Sequence, residues 1–184
     1  MRLMAPWPRL FTLAALLLIV VPASATPQPA DYATALQAWR ADREAELRAD
    51  DGWLTLVGLT WLKRGANTVG SHPDSDVVLP SPSVPSRIGT IDFDGSRTRF
   101  TPAPGVDLRI NGDTPRAMEL RPQPGDYDTV SVGTISWFVI ERGSRFGVRI
   151  RDTSSPARLG FQGLRWYPIR EGYRIRARWV PYPQ

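Results

Sequence analysis

The chain has 184 residues, 42% of them apolar, with seven tryptophans and no cysteine, enough apolar material for one domain to bury a core. The missing cysteine excludes disulfides, thiolate metal sites and a lipid-anchored lipoprotein. A formal net charge of +5 from 23 basic and 18 acidic residues, with Lys63 the only lysine, reads as an arginine-rich compositional habit and not as a nucleic-acid footprint.

The chain opens on a targeting signal. Arg2 and Arg9 form a positive region, residues 10–21 are an uncharged apolar run, and Ala23-Ser24-Ala25 offers a small-x-small cleavage site. The run is shorter than the roughly 20 residues a spanning helix needs. Residues 1–25 are therefore expected to be a signal peptide removed on export. The mature chain would be secreted or periplasmic, starting at Thr26, with no transmembrane segment. Residues 26–52 are expected to hold a linker and an N-terminal helix, and residues 53–184 a β-sandwich domain.

After a short proline-containing linker, Asp31 can cap a helix over residues 32–49. Tyr32, Leu36, Trp39 and Leu47 fall near one face at helical spacing. Arg40, Asp42, Arg43, Glu44, Glu46 and Arg48 fill the rest as a solvated, mixed-charge surface. Asp50-Asp51-Gly52 ends the helix, whose narrow apolar face predicts that it lies against a sheet edge or face.

Everything after Gly52 reads as β structure. Residues 53–80 suggest two short strands joined by a turn, a polar loop and a third strand, with Gly58, Gly65 and Gly70 where the chain bends. Residues 88–93 and 97–101 flank Asp94-Gly95-Ser96, a hairpin signal. Residues 106–110 and 116–120 flank Asn111-Gly112-Asp113, a second one. Runs at 129–132, 136–141 and 145–151 follow, with Gly133 and Gly143 at the turns. Residues 173–179 alternate most strictly: period two puts Tyr173, Ile175, Ala177 and Trp179 on one face and Arg174, Arg176 and Arg178 on the other. Many short strands with regular turn signals predict a mainly β chain, a sandwich with one N-terminal α-helix.

Val69-Gly70-Ser71, Asp76-Val77-Val78-Leu79, Ser86-Arg87-Ile88-Gly89 and Asn111-Gly112 resemble the motif series of forkhead-associated (FHA) domains. The resemblance spans residues 69–139 and implies an FHA-like β-sandwich. In that family the Ser-Arg-x-His motif binds phosphothreonine. Ser71 stands where the family has Arg, and Gly89 where it has His. The fold is expected to carry over, and selective phosphothreonine binding is not, because an anion needs a paired, charge-assisted donor set. Trp53-Leu54-x-Leu-x-Gly58-Leu59-x-Trp61-Leu62, Arg149-x-Arg151-Asp152, Ser155-Pro156 and Tyr167-Pro168 are similar to a secreted bacterial family of unknown function, DUF sixteen-eighty-four. That resemblance implies an exported β-rich domain and supplies no reaction, cofactor or ligand. Its members continue into a segment with Asp-Phe-Asn and Tyr-Asn-Pro-Pro-Cys motifs, so this chain would be either truncated or a short variant.

Few residues suggest chemistry. His72 is the only histidine, no Gly-x-Ser-x-Gly elbow accompanies it, and it reads as a loop residue. Asp74-Ser75-Asp76 and Asp92-Phe93-Asp94 pair carboxylates, but calcium needs six to eight oxygens, and turn chemistry explains both. No catalytic residue, metal site or cofactor is expected. The weak binding candidates are Ser86, Arg87 and Asn111 at the FHA-like loops, Arg151 and Asp152 at a strand end, and the row Arg174, Arg176 and Arg178. Asp152 also reads as a residue capping its own turn. The arginine row predicts an outward stripe for anionic lipid or another polyanion.

These observations lead to an exported, non-enzymatic binding or interaction module of the cell envelope, whose partner is an envelope protein or anionic lipid. Two other readings stay open: a hydrolase with its catalytic groups in a segment beyond this chain, and a structural partner that completes its sheet with another chain.

Overall fold

A computed structural model of the protein describes residues 31–182. The expectations for residues 1–30, export signal and linker, lie outside the described residues. Helix α1 (Tyr32–Arg48) leads into a 3-10 turn at Trp53–Thr55. Ten strands follow: β1 (Leu56–Trp61), β2 (Gly65–Gly70), β3 (Val77–Val78), β4 (Gly89–Phe93), β5 (Thr98–Pro102), β6 (Arg109–Ile110), β7 (Met118–Leu120), β8 (Thr129–Val132), β9 (Ile135–Arg142) and β10 (Arg145–Asp152). A single-turn helix α2 (Pro156–Leu159) and a 3-10 turn at Glu171–Tyr173 complete the regular structure. No helix among the described residues is long and apolar enough to cross a membrane.

The strands form two five-stranded sheets, β1-β10-β9-β8-β6 and β3-β2-β4-β5-β7. Period-two alternation turns one face of each sheet inward. Val130, Ile135, Trp137, Val139, Val148 and Ile150 of the first sheet meet Val69, Ile91 and Phe100 of the second in one core. Phe100 stands edge-on to Trp137 at 5.1 Å, and Phe93 packs on Phe146 at 5.0 Å, a geometry that aromatic quadrupoles favour. The chain is therefore mainly β, a two-layer sandwich with one N-terminal helix, as its alternation predicts.

Turn chemistry is borne out where it is local. The β4–β5 hairpin closes on Asp94, whose carboxylate accepts from the backbone of Ser96 and Arg97 and from the Ser96 hydroxyl. The β8–β9 and β9–β10 turns place Gly133 and Gly143 at φ +58° and +61°, where side-chain-bearing residues are strained. Two expected strand pairs do not form. β1 and β2 adjoin in sequence, but β1 pairs with β10 and β2 with β4. The Asn111-Gly112 turn does reverse the chain, with Asn111 at φ +53°. Its flanking strands nevertheless part, β6 pairing with β8 and β7 with β5. In both places the connection steps from one layer to the other.

Residues 173–179 are not a strand. Only the short turn at Glu171–Tyr173 is regular there, and Tyr173, Ile175 and Trp179 are exposed. Alternation supplies amphiphilicity, but a strand also needs a neighbouring ladder for its amides. No such neighbour is present among the described residues.

No residue of helix α1 is fully buried. The helix docks the chain's C-terminal part through polar side chains. Glu44 accepts from the Leu164 amide and the Trp166 indole, each at 2.9 Å, and Arg40 donates to the Tyr167 carbonyl at 2.7 Å. Trp39 meets Trp166 edge-on, and Arg48 lies over Phe161. Arg158 clamps the helix end: it donates to the Arg48 carbonyl at 2.7 Å, the Thr153 carbonyl at 2.8 Å and the Asp50 carboxylate. The first of these bonds satisfies a carbonyl that the helix C-terminus leaves free. The face expected to be solvated thus carries the docking groups Arg40 and Glu44. The Leu164 amide, then the Trp166 indole, hold the Glu44 carboxyl below its ordinary range. Docking should therefore weaken as pH falls through that lowered value. In Glu44→Ala, the Trp166 emission should shift red and amide exchange across residues 161–167 should quicken, with the sandwich unchanged. Unchanged exchange there would remove Glu44 from this role.

Candidate functional site

The loop end of the second sheet gathers the residues that carry the FHA-like motifs. Gly70 lies against the backbone of the loop before β4: an added Cβ would sit 2.1 Å from the Ser86 carbonyl oxygen and 2.7 Å from the Arg87 Cα. The close approach is stitched by Ser71 N–H to the Pro85 carbonyl (3.1 Å), His72 N–H to the Ser86 carbonyl (3.2 Å) and Ile88 N–H to the Val69 carbonyl (2.8 Å). Asp76 ties β3 alongside β2. Its carboxylate accepts the Thr68 amide and hydroxyl at 2.9 Å each, and its own amide donates back to the Thr68 hydroxyl. Those bonds, with Lys63 at 3.2 Å, lower the Asp76 pKa. The motif aspartate is a bracket between strands.

Ser86 and Arg87 line a shallow pocket of about 220 Å³ with Thr68, His72, Asp74 and Ser75. Its one guanidinium already donates to the Thr90 hydroxyl at 3.0 Å. His72 Nδ1 accepts the Asp74 amide at 3.2 Å, with the Asp74 carboxylate 3.8 Å away, so the ring bonds its own turn and no hydroxyl. The Ser71 hydroxyl is spent on the Val84 carbonyl at 2.7 Å. At Gly89 the space for a side chain is filled: a Cβ would lie 2.5 Å from the buried Phe100 ring. The pocket thus offers one engaged arginine beside a carboxylate, a poor receptor for a dianion.

Asn111 does not join that pocket. Both ends of its amide are committed, Nδ2 donating to Asp128 at 2.7 Å and Oδ1 accepting the Thr129 amide at 2.9 Å. Asp128 is 1% exposed and also receives the Arg121 amide at 2.7 Å and guanidinium at 2.8 Å. Burial pushes its carboxyl up, but the Arg121 and Asn111 donors overcome that and hold it at about 2. Asn111 and Asp128 form a structural clasp where the chain changes layers.

Arg151 and Asp152 face opposite ways. Asp152 is buried, and its carboxylate accepts the Ser154 amide at 2.8 Å and hydroxyl at 2.7 Å, the turn-capping role its position suggests. Burial raises its carboxyl, and the Ser154 and Thr134 bonds more than offset this and lower it. Arg151 lies outward, its guanidinium carbon 4.8 Å from the Phe138 ring centroid. Arg174, Arg176 and Arg178 form no strand-borne row. Arg174 pairs with Glu171 at 3.2 Å and lies over Tyr32.

Two features had weak sequence signals. A cavity of about 610 Å³ lies on the outer face of the second sheet between Arg64, Asp92, Asp94, Arg97, Arg99 and Glu119. Asp92, Arg99 and Glu119 sit at successive cross-strand positions, a balanced charge ladder. The other is an exposed apolar stretch: among residues 164–182, Leu164, Tyr167, Tyr173, Ile175, Trp179, Val180 and Tyr182 all face solvent. No group of three or more His, Cys, Asp or Glu side chains able to hold a metal ion occurs among the described residues.

No family model matches the chain, and no curated protein matches it. Solved structures similar to it include the FHA domain of FhaA in complex with a partner's intracellular domain, 17% identical over 50% of this chain and 97% of that one, TM-score 0.35. A second FHA domain, from a study of phosphothreonine-dependent FHA interactions, is 19% identical over 53% of this chain and 96% of that one, TM-score 0.35. Mycobacterium tuberculosis EmbR, in complex with a low-affinity phosphopeptide, is 15% identical over 68% of this chain and 32% of that one, also with TM-score 0.35.

Proposed function

We propose that the protein is a non-enzymatic interaction module of the bacterial cell envelope, exported by its first 25 residues, that holds an envelope protein through its C-terminal segment. The observation that carries this reading is the exposure of large apolar side chains between Tyr173, 58% exposed, and Tyr182, 92% exposed. Scattered apolar residues on a surface are ordinary, but large exposed aromatic and aliphatic side chains concentrated in one short segment signal a contact surface. Tyr and Trp carry large contact area with few torsions to freeze, and arginine suits interface rims. The Arg176 and Arg178 charges between them would keep the segment soluble before the partner arrives and steer it to an acidic surface. Period two along residues 173–179 also suits addition to a partner's sheet edge.

Photo-crosslinking in living cells tests this directly. A photoreactive residue at Ile175 or Trp179 should give a discrete adduct in the periplasmic or membrane fraction, and one at exposed Thr101 should not. The exported chain should begin at Thr26. Retention in the cytoplasm, a mature chain beginning at Met1, or identical adducts from all three positions would sink the reading. A phosphothreonine peptide should bind no better than its unphosphorylated form. A marked preference for the phosphorylated peptide would move the function to the Ser86–Arg87 pocket.

A further inference from the structure

We infer that the outer face of the first sheet carries a separate ligand site, a pocket for a carboxylate borne on a flat aromatic system of one or two fused rings. Arg149 and Arg151 alternate along β10 with the core residues Val148 and Ile150, so both turn outward, about 7 Å apart along the strand. Both are half-buried, yet neither guanidinium makes a hydrogen bond or ion pair among the described residues. The contrast with Arg97, Arg121 and Arg158 is plain, since each of those has a carboxylate partner. The Arg151 Nε is shut off from water with no acceptor, while the guanidinium lies over Phe138. A donor held in that state is costly unless something supplies an acceptor.

The space beside the two guanidinium groups is a pocket of about 260 Å³, walled by Trp53, Leu56 and Gln123 and floored by Phe138. Trp53 is 65% exposed on a turn that is itself fixed. The buried Thr55 hydroxyl bonds the Gly52 carbonyl at 2.6 Å, and a Cβ at Gly52 would meet the Glu46 carbonyl at 2.3 Å. An aromatic face carried on a fixed turn beside two guanidinium groups favours a ring that carries an anion. Asp51 also lines the pocket. Two cations against one carboxylate leave a single positive charge, which matches a carboxylate better than a phosphate dianion. The volume falls below the range for drug-sized ligands and fits one or two fused rings.

The test uses 2-naphthoate as probe, with acetate and 2-naphthalenemethanol as its two halves. The Trp53 indole N–H resonance, assigned from Trp53→Phe, reports occupancy. Naphthoate should shift that resonance and bind at least about tenfold tighter than either half. Arg149→Gln and Arg151→Gln should each weaken it about tenfold, the loss of one charge-assisted contact. Arg151→Met separates binding from folding. It keeps an apolar stem on Phe138 and removes the unpartnered donor, so melting should stay level or rise while naphthoate binding weakens about tenfold, as in Arg151→Gln. Equal affinity for the acid and the alcohol, full affinity in the double glutamine variant, or an unmoved Trp53 resonance at millimolar naphthoate would overturn the proposal.

Discussion

Gly70→Ala is expected to be the most damaging small substitution in the sandwich, lowering stability by about 3 kcal/mol or more. The added methyl would sit 2.1 Å from the Ser86 carbonyl oxygen, 2.6 Å from the Ser86 carbonyl carbon and 2.7 Å from the Arg87 Cα. All three are backbone atoms, so no rotamer change relieves the clash. Moving the loop would break the hydrogen bonds from Ser71, His72 and Ile88 that hold it to the end of β2. It would also disturb Leu79, which donates to the Gly70 carbonyl at 2.8 Å and is 1% exposed in the core. Gly172→Ala is the control, since a Cβ there meets nothing within 4 Å. Urea unfolding should show a large drop in midpoint for the first variant and almost none for the second. Equal midpoints would mean that the loop yields freely and that Gly70 answers only for a local bend. Gly89→His, which would install the histidine of the FHA motif, should fail in a related way, because the Phe100 ring occupies the space.

Those two glycines show what was legible in the sequence. Both stand at motif positions, and Gly70 reads as a bend. Their structural reason is close approach of backbone or ring from elsewhere in the chain, which local spacing does not encode. Hairpins closed by their own turn residues, such as β4–β5 around Asp94, could be read because the stabilising bonds are local. The layer changes after β1 and after β6 could not, because a turn signal fixes reversal and not the sheet a strand then joins. The helix face was misread for a similar cause. Arg40 and Glu44 look like solvated charges until Tyr167, Leu164 and Trp166, over 100 residues away, supply their partners. Residues 173–179 reverse the case: their pattern is the strictest in the chain, yet they form no strand, since alternation without a ladder leaves amides unpaired. Of the candidate site residues, Asp152 was legible as a turn cap. Asn111 was legible only as a turn, because the buried partner that commits its side chain, Asp128, lies beyond the intervening β7.

That partner sets the second large expectation, an acid-sensitive loss of stability through Asp128. Its carboxylate is out of water and ties three chain segments, through the Asn111 amide, the Arg121 amide and guanidinium, and its own strand entry at β8. With the folded carboxyl at about 2 against an ordinary 3.8, folding favours the ionised form. The associated stability is complete above the unfolded value and drains away as pH falls from about 4 towards 2. Asp128→Ala leaves the Arg121 amide and the Asn111 Nδ2 without their acceptor and should cost about 2–4 kcal/mol near neutral pH. Its urea midpoint should change with an unchanged slope. Asp128→Asn keeps the shape but turns an NH2 group towards two donors, so it should rescue little. The decisive measurement is stability against pH for wild type and both variants. The curves should lie well apart at pH 7 and converge as the wild-type carboxyl takes up its proton. Parallel curves down to pH 2 would show that Asp128 is ionised no more readily in the fold than out of it, and the clasp would then owe its hold to packing instead of charge.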